Sequence, residues 1–374
     1  MITPKIILVA NTDWYLYNFR LALARFLRSQ GFEVVLISPS GRYAPLLQQA
    51  GFRWIEWKVG RQTLAPWVEL FALLQLARLY RKERPALVHQ HTIKPVLYGS
   101  LAARLTHVPA VVNSITGRGY VFVGDDRKAR LLRGLVRPLY RMAFASPHNK
   151  AIFENDEDRQ YFIREKLLPS QRAWVVEGVG VDAEHFTPAP EPAGPPIILL
   201  PARMLWDKGV GILVEASRLL RSEVPARVVL VGVPDPGNPA SIREDILRGW
   251  EAEGLVEWWG WHEDMRAVYQ SCHIVTLPSS GEGISTALLE AAACGKPLVA
   301  TDAPGCRDII QNGMNGLLVP PNDPAALAAA LRQLIEDPDL RGRMGAASRQ
   351  LVLEKFTTGL VNAATLQVYE VILK

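Results

Sequence analysis

Ile274-Val-Thr-Leu-Pro-Ser-Ser-Gly-Glu-Gly-Ile-Ser-Thr-Ala-Leu-Leu-Glu290 reads as a strand, a glycine turn and a helix in succession. Ile274 to Leu277 are apolar or β-branched, Gly281 and Gly283 permit a tight turn, and Ser285 to Cys294 is rich in Ala and Leu. A helix starting there leaves the backbone N–H groups of Ile284, Ser285 and Thr286 without intrahelical acceptors, which suits an anion such as a diphosphate. Glu282 in the turn and Glu290 in the second helical turn flank that point. A carboxylate accepts paired hydrogen bonds from vicinal hydroxyls, which hexose and ribose both offer. The same residues also fit a helix whose acidic side chains only complement the macrodipole.

Upstream, Ile197 to Leu200 form a strand and Gly209 opens a helix. The loop between them, Pro201-Ala-Arg203-Met-Leu-Trp-Asp-Lys208, carries two cations five residues apart. Either alone reads as a solvated surface side chain. Together at the carboxyl end of a strand, where open α/β sheets bind ligands, Arg203 and Lys208 suit the neutralising of a diphosphate leaving group.

Strand and helix patterns alternate along the whole chain, which predicts an α/β fold with parallel sheets covered by helices. Strands are expected at Lys5–Ala10, Glu33–Ser38, Leu87–Gln90, Ala110–Ser114, Lys150–Glu154 and Ala173–Glu177, then near Ile197, Val228, Val256, Ile274, Leu298 and Leu317, with a first helix from Tyr17 to Gln30. Thr187-Pro-Ala-Pro-Glu-Pro-Ala-Gly-Pro-Pro196 is too proline-rich for either element and reads as a linker. The expected organisation is a first domain over 1–186, a linker over 187–196, a second domain over 197–357 and a terminal helix over 358–374. A chain of 374 residues, 49% hydrophobic, suffices for two cores.

Charge divides at the same place. Residues 1–186 hold 26 Lys and Arg against 15 Asp and Glu, a net +11, and the remainder holds 16 against 22, a net −6. A basic first domain suits a polyanion: nucleic acid, anionic lipid or a diphosphate-bearing acceptor. Cys272, Cys294 and Cys306 lie at no metal-binding spacing and read as reduced core residues of a cytosolic protein. Ile6 to Ala10 is too short for a signal sequence, and no apolar run approaches the roughly 18 residues of a membrane span. The expectation is a cytoplasmic protein whose membrane contact is peripheral.

The local source of charge is Arg127-Lys-Ala-Arg130-Leu-Leu-Arg133-Gly-Leu-Val-Arg137-Pro-Leu-Tyr-Arg141. On a helix, Arg127, Arg130, Arg133, Arg137 and Arg141 share about a third of the circumference at roughly 100° per residue. Leu131, Leu132, Leu135, Val136, Leu139 and Met142 cover the other side, and Pro138 kinks or splits the helix. Two readings fit: a core helix with a solvated arginine face, and a helix docked on anionic headgroups through its arginines. Gly119–Val123, just before it, suits either a membrane-facing stretch or a buried strand.

Arg-x4-Lys at 203 and 208 followed by Glu-x7-Glu at 282 and 290, with Gly260 and Pro278 between, resembles the family 4 retaining glycosyltransferases of GT-B fold. Tyr17-Asn-Phe-Arg20, His91-Thr-Ile-Lys-Pro95, Gly117-Arg-Gly-Tyr-Val-Phe122 and Gly305-Cys306 are similar to bacterial undecaprenyl-diphosphate-sugar N-acetylhexosaminyltransferases of the N-glycan GalNAc-transferase type. The resemblance implies two Rossmann-like domains with the terminal helix returning to the first. It implies UDP-N-acetylhexosamine as donor, a polyprenyl-diphosphate sugar as acceptor, an anionic membrane surface as partner, no nucleic acid and no metal cofactor. By the same likeness Glu282 holds the donor sugar, Glu290 the ribose, Arg203 and Lys208 the diphosphate, and the base lies near Gly260. Gly283, Ile284, Ser285 and Thr286 complete the donor site; His91, Lys94 and Thr116 fall to the acceptor side. Where many relatives carry a histidine after the fifth strand, this chain has Asn113-Ser-Ile-Thr116-Gly117. Asp156-Glu-Asp158 and Asp337-Pro-Asp339 have the spacing of metal-bridging carboxylates but sit where helices begin, so capping accounts for them. The alternatives are a transferase with a soluble or other lipid acceptor and a UDP-sugar 2-epimerase of the same architecture.

Overall fold

Apolar β-branched runs separated by amphipathic helices build two parallel sheets. The computed structural model describes residues 3–60, 65–117, 122 and 127–373, and of residues 127–129 the backbone alone. Most of Gly119–Val123 and Arg118 therefore lie outside the described residues, as does the Arg127 side chain. The described chain divides into two units, 1–179 with 358–374, and 180–357.

The first unit holds β1 (Lys5–Val9), β2 (Glu33–Ser38), β3 (Arg53–Glu56), β4 (Leu87–His91), β5 (Ala110–Ile115), β6 (Asn149–Phe153) and β7 (Ala173–Val175). Their order is β3-β2-β1-β4-β5-β6-β7, every pairing parallel. The first helical stretch is not continuous over Tyr17–Gln30: a π-helical turn, Leu16–Arg20, leads into the helix Leu21–Ser29. One sheet face packs Ile6, Leu8, Val34, Leu36 and Leu87 against Val361, Val368 and Tyr369 of the Thr358–Leu373 helix. The other face packs Val9, Val35, Val88 and Val111 against Ala72, Leu76 and Tyr80 of the Pro66–Glu83 helix.

The second unit holds β8 (Ile197–Pro201), β9 (Arg227–Val231), β10 (Glu257–Gly260), β11 (Ile274–Leu277), β12 (Leu298–Thr301) and β13 (Gly316–Val319), ordered β10-β9-β8-β11-β12-β13. Strand order therefore reverses between β8 and β11, and in the first unit between β1 and β4. The units divide between Val179 and Gly180, ahead of the proline-rich stretch. That stretch is fastened to the second unit: Gln270 donates to the Thr187 carbonyl at 2.9 Å and Arg341 grips Glu191 at 2.9 and 2.8 Å. His273 takes the Ile197 amide on Nδ1, which leaves Nε2 to donate to the Pro192 carbonyl at 3.0 Å. Proline there stiffens a bonded segment, so the stretch is not a free linker.

Candidate active site

In open α/β sheets ligands bind beyond the strand carboxyl ends where strand order reverses. In the second unit that point lies between β8, which leads to Arg203 and Lys208, and β11, which leads to Glu282. Backbone geometry straps the two loops together. The Ser280 amide donates to the Asp207 carbonyl at 3.0 Å, and the Ser279 hydroxyl to the same oxygen at 3.2 Å. Gly209 has φ +74°, and a Cβ there would collide with the Pro278 carbonyl oxygen. On the other flank the Glu282 amide donates to the Pro304 carbonyl at 2.9 Å. A Cβ on Gly305, at φ +78°, would lie 2.7 Å from the Glu282 Cβ. Both glycines are required by close approach as well as by conformation.

The strapping brings Lys208 onto Glu282: the ammonium donates to both carboxylate oxygens at 2.6 Å. These side chains are 17% and 14% exposed, so the pair is largely but not wholly withdrawn from water. Arg203 lies apart from that pair and bonds Asp235, in the loop after β9, at 2.7 Å. The helix begins as expected, with Ser285 as its cap accepting from the Leu288 amide at 3.3 Å, and runs Thr286–Ala293. Glu290 takes a 3.0 Å hydrogen bond from the buried Tyr269 hydroxyl. Burial pushes the Glu290 carboxyl up to about 7, and the Tyr269 bond to the charged form pulls in the opposite direction. Gly260 ends β10 with its carbonyl accepting from the Gly232 amide at 2.7 Å. Tyr269 and Asp235 escape sequence reasoning because each meets its partner across more than twenty residues with no motif linking them.

Two residues assigned to the acceptor side are withdrawn from solvent, His91 with neither ring nitrogen hydrogen-bonded and Lys94 bonded within the first unit. His91, at the end of β4, is fully buried between Tyr15 and His89, at ring distances of 5.7 and 4.0 Å. Burial, with His89 and Arg20 nearby, holds its imidazole well below the ordinary value, so it is neutral and has no exposed face for an acceptor. Lys94 donates to Glu69 and to the Gly60 carbonyl, both at 2.7 Å, and so ties down the Pro66–Glu83 helix. Thr116 is half-buried just after β5.

The arginine helix, Arg127–Ala143, is inverted relative to expectation. Its described arginines are not a free face: Arg137 pairs with Glu165, and Arg141 donates to the Glu165 and Lys166 carbonyls at 3.2 and 3.3 Å. Arg133 is half-buried, whereas Arg130 is exposed. Tyr140, Ala143 and half-buried Val136 pack inward, whereas Leu131, Leu135, Leu139 and Met142 are exposed. Periodicity identified two faces but could not say which one the protein covers. Of the acidic pairs, Asp337 caps the Pro338–Leu351 helix, accepting from the Leu340 amide at 2.8 Å, and Asp156 bonds Arg159 at 2.7 Å.

Two Rossmann-like parallel-sheet units, the second carrying cations and carboxylates at its switch point, define an α/β enzyme of the GT-B class. The description "Glycosyl transferase 4-like" matches residues 5–155 and "Glycosyl transferases group 1" matches residues 195–337. The chain belongs to these glycosyltransferases. It is 28% identical to the Campylobacter jejuni N,N'-diacetylbacillosaminyl-diphospho-undecaprenol α-1,3-N-acetylgalactosaminyltransferase, over 96% of each chain. It is 25% identical to the Escherichia coli UDP-Gal:α-D-GlcNAc-diphosphoundecaprenol α-1,3-galactosyltransferase over 72% of this chain and 71% of that one. Its fold matches a Rickettsia africae glycosyltransferase at TM-score 0.81, 21% identical, over the whole of both chains. It also matches Anabaena HepE, solved with UDP and glucose, at TM-score 0.79, 17% identical, over 98% of this chain and 99% of that one.

Proposed function

We propose that the chain moves an N-acetylhexosamine, GalNAc or GlcNAc, from a UDP donor to a sugar carried on a polyprenyl diphosphate, with retention at the anomeric carbon. The work takes place at the cytoplasmic face of the cell membrane, in assembly of a bacterial surface or protein-linked glycan. The observation that carries the reading is the Lys208–Glu282 pair at the β8–β11 switch point, a cation for a diphosphate held against an acceptor for sugar hydroxyls. Two relatives named for undecaprenol-diphosphate-linked acceptors support the lipid side.

Glu282 holds the donor-sugar hydroxyls, Glu290 the ribose, and Arg203 with Lys208 the diphosphate. The backbone from Gly283 through Ile284, Ser285 and Thr286 lies along the phosphates, and the base lies by Gly260. Donor binding draws Lys208 from Glu282 and Arg203 from Asp235, so each cation trades a carboxylate for a phosphate. As the bond between C1 and the UDP oxygen breaks, charge grows on that phosphate and the two cations stabilise it. The acceptor hydroxyl oxygen bonds C1 on the same face and its proton passes to the departing phosphate oxygen. No protein nucleophile is then needed, in keeping with Asn113–Gly117 carrying no histidine. The testing experiment is transfer from labelled UDP-sugars to polyprenyl-diphosphate sugars in excess EDTA. The expected rate is nearly that without chelator; loss with rescue by manganese would favour Asp156/Asp158 or Asp337/Asp339 as metal ligands.

Glu290 gives a pH test. Its ionised form accepts the ribose hydroxyls, so KM for the donor should fall as pH rises through about 7. Tyr269→Phe removes the donor that favours the ionised form, so the transition should move to higher pH, with kcat altered less than KM. An unmoved transition would detach Tyr269, and a flat profile in the wild type would detach Glu290, from donor binding.

A further inference from the structure

Nine of the twenty exposed large apolar side chains among the described residues lie on two helices of the first unit. On Pro66–Glu83 they are Trp67, Val68, Leu70, Phe71 and Leu74, with Trp67 75% exposed. On Arg127–Ala143 they are Leu131, Leu135, Leu139 and Met142, with Leu131 69% exposed. At roughly 100° per residue, Trp67, Leu70, Phe71 and Leu74 form one stripe directly opposite the buried Ala72, Leu76 and Tyr80. The leucine stripe likewise points away from the buried Tyr140. Both helices pack against the Pro95–Leu105 segment and lie on the same sheet face, so the stripes are neighbours on one side of the unit. A soluble monomer rarely exposes apolar stripes of this length without a use for them.

The chemistry around the stripes names the occupant. Past Leu74 the outward face of the Pro66–Glu83 helix turns cationic, with Arg78, Arg81 and Lys82 exposed, and Arg130 and Arg141 are exposed on the other helix. Neither helix exposes a carboxylate: Glu69 is half-buried on Lys94 and Glu83 is buried on Arg53 and Lys5. Apolar stripes containing tryptophan, on helices whose described residues expose cations and no carboxylate, match an anionic bilayer, with apolar side chains at the acyl boundary and cations at the headgroups. A second copy would bring like charges together. No described helix is long and apolar enough to cross a membrane, so the helices would lie in its plane.

We propose that the Trp67–Leu74 and Leu131–Met142 stripes are the membrane-seating surface of this protein, entering an anionic monolayer while Arg78, Arg81 and Lys82 hold its headgroups. The proposal deepens the lipid-acceptor reading above and rests on it for its purpose, although binding is measured without any acceptor. Arginine attraction alone does not hold the protein: Arg137 and Arg141 fasten their helix to the segment carrying Glu165, and that leaves the leucines facing outward.

The test uses the full chain with phosphatidylglycerol–phosphatidylcholine vesicles. Wild type should co-sediment, and brominated lipid should quench a tryptophan component that Trp67→Phe removes. Replacing Leu70, Phe71, Leu131 and Leu135 together by serine should lower the partition coefficient roughly a hundredfold or more while the thermal melt is kept, since these side chains support no core. Transfer to a short water-soluble acceptor analogue should be unchanged in that variant, and transfer to vesicle-borne acceptor should drop. Wild-type binding by a folded quadruple variant, quenching that survives Trp67→Phe, or a wild-type dimer that the variant turns into monomer would overturn the proposal. Vesicle binding that behaves as expected with no transfer to any lipid acceptor would uphold the surface and refute the acceptor.

Discussion

Turnover of Lys208→Ala is expected to fall roughly a hundredfold, on the order of 3 kcal/mol, with the fold intact, and Glu282→Gln and Arg203→Ala are expected to fall comparably. Lys208 does two things at once. It meets charge that grows on the leaving phosphate, and it neutralises Glu282, whose side chain is only 14% exposed. Alanine at 208 removes the first effect and leaves a poorly solvated carboxylate beside an incoming dianion. Lys208→Ala with Glu282→Gln should therefore lose less than the two single losses combined, because the residues share one interaction. Single-turnover rates with saturating donor give the comparison. A Lys208→Ala enzyme at wild-type rate, or strictly additive losses, would remove the pair from the chemistry.

Gly209→Ala and Gly305→Ala are expected to disable the site from behind. At Gly209 the new methyl meets the Pro278 carbonyl oxygen, and at Gly305 it meets Glu282 itself, and both positions hold φ in the left-handed region. Backbone strain and overpacking of this kind cost roughly 2 kcal/mol or more, which for a unit of this size lowers the melting temperature by roughly 4–8 °C. Donor affinity should fall at least tenfold for either, since Lys208 and Glu282 hang from the loops that must part. Gly342→Ala, on a helix with open space around it, is the control: it should leave donor affinity unchanged and hold or slightly raise the melt, because alanine is the better helix former. Glycine variants that melt early yet bind donor normally would show that the loops do not set the site.

Much of this was legible in the chain. The run from Ile274 to Glu290 gave its strand, turn and helix nearly to the residue, because each piece is fixed by local chemistry: β-branched apolar residues, glycine, a serine cap. β3, Arg53–Glu56, escaped because it is a half-exposed edge strand whose charged ends break the apolar run. The proline-rich stretch looked free because its bonds come from distant Gln270, His273 and Arg341. His91 looked like an acceptor ligand because burial is a tertiary property. The two apolar helix faces show the sharpest limit. A stripe at helical spacing is written the same way whether it meets a core or a membrane, and only the fold, by placing Tyr140 and Ala72 inward, shows which side is left uncovered.

The most direct measurement of the central claim is transfer from a panel of UDP-sugars to undecaprenyl-diphosphate sugars presented in phosphatidylglycerol vesicles, with the new linkage read by NMR. The account predicts that a UDP-N-acetylhexosamine outruns UDP-glucose and UDP-galactose, that the sugar arrives on the lipid-linked acceptor, and that the new bond is α. Epimerised UDP-sugar accumulating without acceptor, transfer confined to water-soluble acceptors, or a β linkage would contradict it.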